Sequence, residues 1–126
     1  MTVKNSFIRI LYLFSIMLAA VSLYAAQADS NATPTFTGEI MDSLCAKAGT
    51  HAQMMQEMKS MGKDKVTCSA KCIQLGAKYV LYDSSKKDIY ELDDQEKAGK
   101  FAGQSVRVSG TLQKKKIKVS GIEAAE

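Results

Sequence analysis

The rhythm of apolar and polar positions changes three times along this chain. Residues 7–26 are almost continuously apolar around "ILYLFSIMLAAV". After a polar break, "FTGEIM" alternates, with Phe36 and Ile40 on one face and Thr37 and Glu39 on the other, the period of a half-buried strand. Between Ala46 and Lys65 the alternation lapses. That stretch holds no Leu, Ile, Val or Phe, and its apolar residues are alanines and methionines. Met54, Met55, Met58 and Met61 fall at helical spacing, predicting a short helix begun by Thr50 and ended by Gly62. A second short helix is expected over "CSAKCIQL", with Thr67 as its cap and Gly76 as its stop.

From Lys78 onward period two returns. "KYVLYD" and "DIYELD" flank "SSKK" as the strands of a hairpin. "DDQEKAGKFAG" reads as a two-turn helix capped by Asp93 or Asp94 and closed at Gly103. "SVRVSGTL" turns Val106, Val108 and Leu112 inward. "KIKVSGI" does the same with Ile117 and Val119, until Gly121 shifts the phase before Ile122 as a β-bulge does. The chain is therefore mainly β. The order β-β-β-α-β-β, with a Cys-bearing helical insert between the first two strands and a helix between the third and fourth, is that of a small five-stranded OB-like barrel.

The run "TGEIMDSLC", the C-x3-C of "CSAKC", "GAKYVLYD", and "FAGQSVRVSGTL" followed by "IKVSGIE" together resemble small exported bacterial proteins built on an OB-like domain. The resemblance spans nearly all of residues 36–126. It implies fold and export and brings no catalytic role with it.

The N-terminus changes the picture of where the chain works. Lys4 and Arg9 precede an apolar core of about a dozen residues, and "AQA" at Ala26–Ala28 closes it, the layout of a secretory signal over residues 1–28. Uncleaved, Phe7–Ala26 would approach the roughly 20 residues of a spanning helix. Cleavage leaves residues 29–35 as a flexible leader before a single domain at 36–126, with no stable membrane anchor. The expected location is periplasmic or extracellular, in a bacterium, where exposed thiols pair or need protection. The formal charge of +4 falls to about +2 without Lys4 and Arg9, too weak to imply nucleic acid. The expected state is a monomer.

Three cysteines is an odd count, so at least one stands outside any intramolecular disulfide. Cys68 and Cys72 share a helix face, but i and i+4 Cβ atoms lie about 5 to 6 Å apart, too far for an easy bond between them. Cys45 paired with Cys68 or Cys72 would staple the end of the first strand to the second helix, worth roughly 3 kcal/mol in the chain-entropy model. That makes a small binding or structural module rather than an enzyme. The alternative is a metal site: two thiolates one turn apart can grip one ion, with Cys45 and His51 completing a Cys3His set adequate for zinc. Copper(I) suits the stretch better, because Met54, Met55 and Met58 offer soft thioethers beside the thiols. A third reading is thiol-disulfide chemistry, with Cys68 activated at a helix start and Cys72 resolving, although such enzymes usually carry C-x-x-C.

Each of these features has a plainer explanation. A methionine stripe commonly packs against a core, and a lone histidine among polar neighbours reads as exposed. The lysines of "QKKKIK" suit a solvated hairpin tip. Tyr79, Tyr82 and Tyr90 are few for an oligonucleotide platform, two of them facing the core by alternation. No Ser-His-Asp pattern, phosphate-cradling glycine loop or H-E-x-x-H is present.

Overall fold

The alternation at residues 36–41 is realised in strand β1 (Thr35–Asp42). This computed structural model describes residues 32–126, of which Thr33–Glu126 forms one compact unit. The expected signal at 1–28 lies outside the described residues. So does all of the expected leader but its end, where Ala32–Pro34 are exposed and Thr35 already opens β1.

β1 pairs antiparallel with β4 (Ser105–Gln113) along Thr35–Glu39, and with β2 (Tyr79–Asp83) along Glu39–Asp42. β2 forms the expected hairpin with β3 (Asp88–Leu92), and β4 with β5 (Lys116–Ala124). β3 and β5 run parallel, touching at Glu91–Lys116 and Leu92–Ile117. The result is a mixed five-stranded sheet whose strands pair in a ring, β1-β2-β3-β5-β4, joined most briefly at the two-residue β3–β5 contact. The β4–β5 register slips between Ser109 and Gly110, next to the Gly121 at which the sequence loses its phase. Gly110 sits against the Lys118 carbonyl so closely that a Cβ would lie 2.2 Å from it, which is why no side chain stands there.

Ile40, Leu81, Tyr90, Leu92, Ala98, Val106, Val108 and Ile117 fill the interior of the ring. Leu112 does not join them. It follows the inward parity of Val106 and Val108 and pairs with the buried Ile117, but it lies beyond the Ser109/Gly110 register shift, toward the β4–β5 hairpin tip, and is 38% exposed. A second cluster lies on the other face of β1 and β2, where Met41 and Val80 meet Cys45, Ala46, Met61, Cys68 and Cys72.

The connection from β1 to β2 carries that second cluster and departs from expectation in two places. Helix α1 (Ser43–Ala48) was not evident from periodicity; Asp42 starts it by accepting the Leu44 and Cys45 amides at 3.1 and 2.8 Å. Helix α2 (His51–Glu57) begins after Thr50 as anticipated and gives way to a 3-10 turn at Lys59–Met61 before Gly62. Helix α3 (Lys65–Gln74) starts three residues earlier than the Cys-x3-Cys stretch suggests. Its cap is Asp64, whose carboxylate accepts the Thr67 amide at 2.9 Å and the Thr67 hydroxyl at 2.7 Å, so Thr67 lies inside the first turn instead of before it. Gly76, at φ 95°, ends it by turning the chain left-handed, a conformation costly for other residues.

Helix α4 (Gln95–Gly99) follows Asp94 as its cap. Gln95 accepts the Tyr79 amide at 2.8 Å and donates to the Tyr79 and Leu92 carbonyls, both at 2.9 Å, joining β2 and β3 where their own ladder ends. Gln95→Ala removes these three bonds to backbone groups and is expected to lower unfolding free energy by about 2 kcal/mol. Urea denaturation checks it through a lower midpoint at unchanged slope. Among the described residues no helix is long and apolar enough to cross a membrane.

Candidate functional site

Asp42 ends β1 and caps α1, so Cys45 is delivered one turn into that helix with its side chain under α3. Cys68 and Cys72 lie one turn apart on α3 and face the same way. The three sulfurs converge: all lie within 4.8 Å of one another, with Cys45 Sγ 3.5 Å from Cys68 Sγ. All three residues are completely buried. They are free thiols, the Cys45–Cys68 separation exceeding the about 2.05 Å of a disulfide.

Beside them lies a charged network. His51 is buried at 2% exposure, not the surface residue its polar neighbours suggest, because α2 folds its first turn back against β1 and α3. Its Nδ1 lies 3.1 Å from Glu39 Oε1 and its Nε2 2.9 Å from Ser69 Oγ. Ser69 donates to Asp42 Oδ2 at 3.3 Å, and that oxygen is 3.5 Å from His51 Nε2. Lys65 reaches the other Glu39 oxygen at 2.8 Å. Thus an imidazolium donates from both nitrogens, toward Glu39 on one side and through Ser69 toward Asp42 on the other. Among the described residues no buried side-chain nitrogen or oxygen lacks a partner.

The titration behaviour follows from these contacts. Burial favours neutral His51, but hydrogen bonds to Asp42 and Glu39 outweigh it and raise its pKa to about 9. Burial likewise opposes ionised Asp42, yet His51, the Cys45 amide and the neighbouring thiols hold its carboxyl well below the usual range. Glu39 is lowered too, against burial, by His51 and Lys65. Burial first, and the Asp42 carboxylate second, push the Cys72 thiol up to about 12 and Cys45 upward as well. Thiols in such surroundings are poor nucleophiles toward external disulfides, since the thiolate is the reactive form.

Two donor sets are close enough to hold a cation: Cys45, Cys68 and Cys72; and Asp42, Cys45 and His51. His51 has both ring nitrogens engaged, whereas the three sulfurs are held mainly by one another and by Asp42. Met54 and Met55 are half-buried and pack on the thiol cluster, Met61 is buried within it, and Met58 is exposed. Of the tyrosines, Tyr90 is buried and Tyr79 and Tyr82 are half-buried. A cleft of about 770 Å³ is lined by Phe36, Glu39, His51, Lys65, Tyr82 and Tyr90 among others, and no cysteine reaches it.

Asp42, Glu39 and Ser69 were not anticipated as site residues. Asp42 carried a readable signal, an aspartate three residues before Cys45 in the position of a helix cap. Glu39 and Ser69 carried none, since their roles come from His51, 12 and 18 positions away in the chain. Comparison with known protein families, curated proteins and solved structures gave no match.

Proposed function

We propose that this protein is a small exported OB-like barrel that holds one soft metal ion, copper(I) first and zinc second, through Cys45, Cys68 and Cys72. The observation that carries this reading is the convergence of three buried, unbonded sulfurs within 4.8 Å of one another. An ion about 2.3 Å from each of several thiolates holds their sulfurs roughly 3.8 to 4.0 Å apart, so only small side-chain rotations separate this arrangement from a closed site. Copper(I) accepts three thiolates, and sulfur ligands select it. Zinc prefers a fourth ligand, for which the Asp42 carboxylate beside Cys45 and Cys72 is an oxygen donor. His51 then acts one step back, orienting Asp42 through Ser69 as groups behind a metal ligand do. The strand ring and its parallel β3–β5 contact support the barrel, in which the metal-bearing insert joins the first two strands. The module is a monomeric binder with no nucleic-acid partner and no reaction of its own.

The 3.5 Å between Cys45 and Cys68 favours a second reading, a disulfide staple of that pair with Cys72 left as a thiol. Thiol chemistry as an enzyme is the least supported, given the complete burial of Cys68 and Cys72.

Anaerobic competition of the reduced chain with a chromophoric copper(I) chelator is expected to show one ion per chain. Cys68→Ser and Cys72→Ser are each expected to weaken binding at least about 100-fold. Absence of binding by the wild-type chain, with one free thiol counted before reduction, would establish the staple and end the metal reading.

A further inference from the structure

The thiols of the proposed site have no exposure of their own: Cys45, Cys68 and Cys72 are each at 0%. Any ion that reaches them passes the residues packed over the cluster. The partly buried apolar residues packed against the cluster that holds the thiols are Met54, Met55, Ala77, Tyr82 and Ile89. Two are hydrocarbons and one is a phenol, so the soft donors among them are the thioethers of Met54 and Met55. The series continues in both directions. Met58 follows Met54 by one turn, its amide bonded to the Met54 carbonyl at 2.8 Å, and is 45% exposed. At the end of the 3-10 turn Met61, 4% exposed, belongs to the same buried cluster as the three cysteines. Four thioethers therefore grade from solvent to the thiols on one short segment. That segment uses no Leu, Ile, Val or Phe, although Leu would nearly conserve the volume of each methionine.

We infer that Met58, Met54 and Met55 form an access route along which a monovalent soft cation, copper(I) or silver(I), is handed by thioether exchange to the buried thiols. This rests on the metal reading above and assigns these methionines to delivery, not to the final ligand set. The ion keeps its oxidation state throughout. Each step breaks one metal–thioether bond as another forms, and each cysteine that finally binds releases its thiol proton to solvent. Thioethers are neutral and bind less strongly than thiolates, so the gradient runs inward. Zinc gains little from thioethers and is not helped by the route.

The test compares the reduced full chain with the Met54→Leu/Met55→Leu/Met58→Leu triple variant, whose substitutions nearly conserve volume. Transfer from a chromophoric chelator is followed by stopped flow, separately for copper(I) and zinc, and thermal unfolding confirms that the variant folds. The expected result is unchanged stoichiometry and equilibrium affinity for both metals. Copper(I) uptake should be about tenfold slower, the lower end of the effect of removing supporting groups around a metal, while zinc uptake is unaltered. Equal copper(I) rates in the two proteins overturn the route. Slowing of both metals alike overturns it as well, showing that the methionines only control opening of the cover. Loss of copper(I) stoichiometry in the variant overturns it in favour of methionine ligands. A wild-type chain that binds no metal removes the metal reading itself, and the route with it.

Discussion

Asp42→Ala should lower the unfolding free energy by about 3 kcal/mol, the low end for breaking a buried charged pair. The carboxylate is completely buried and serves four partners at once: the Leu44 and Cys45 amides, the Ser69 hydroxyl and the nearby His51 ring. Alanine removes the cap of α1 and leaves the Ser69 hydroxyl without its acceptor. It also leaves the imidazolium with Glu39 as its sole carboxylate, which is why the figure stays at the low end. Asp42→Asn keeps an oxygen for the cap and should recover part of the loss. Urea denaturation under reducing conditions near pH 6 reads both, and a change within about 0.5 kcal/mol for the alanine variant would show that the network adds nothing. Metal binding should weaken in parallel, because Cys45 takes its position from the same cap.

Stability should also fall as the solution becomes alkaline, starting below the range where thiols ordinarily ionise. His51 has a folded pKa of about 9 against an unfolded value near 6.5. The folded state therefore binds more protons between these limits, and the contribution of His51 is full below about 6.5 and lost as pH rises through 9. The slope in that window is at most about 1.4 kcal/mol per pH unit. Asp42 and Glu39 act oppositely: their folded values are depressed, so their contributions are present above the ordinary carboxylate range and fade as the solution is acidified through it. The thiols add a further loss above about 8.5, where Cys45 and Cys72 ionise more readily unfolded than folded. The most stable interval thus lies between about pH 4.5 and 6.5. Unfolding of His51→Gln measured from pH 6 to 8 isolates the histidine: its profile should be flat there, whereas the wild type declines. A wild-type profile equally flat over that interval would mean that the imidazole is not held charged.

Much of the strand framework was legible because it rests on local signals. Period-two alternation located all five strands to within a few residues, and the polar "SSKK" turn placed the β2–β3 hairpin. Capping residues identified the starts of α2 and α4. Leu112 misled because alternation reports parity along a strand, not how far neighbouring elements cover each position, and Leu112 is 38% exposed opposite the buried Ile117. The beginning of α3 was set by Asp64 over Thr67, a choice between two competent caps that residue type alone leaves open. Helix α1 left no periodic trace, since six residues make fewer than two turns.

The site divides along the same line. Residue types and spacing by themselves determined that Cys68 and Cys72 share a helix face and that Cys45 stands at the end of the first strand. They also determined that the intervening segment offers sulfur in place of branched hydrocarbon. Only the tertiary structure decided that the third sulfur meets the other two, that His51 is buried, and that Glu39, Asp42 and Ser69 satisfy it. The physical reason is reach: periodicity and capping act over a turn or two of chain. The Cys45–Cys68 and Glu39–Lys65 contacts instead close loops of 23 and 26 residues, set by how three short helices pack across β1.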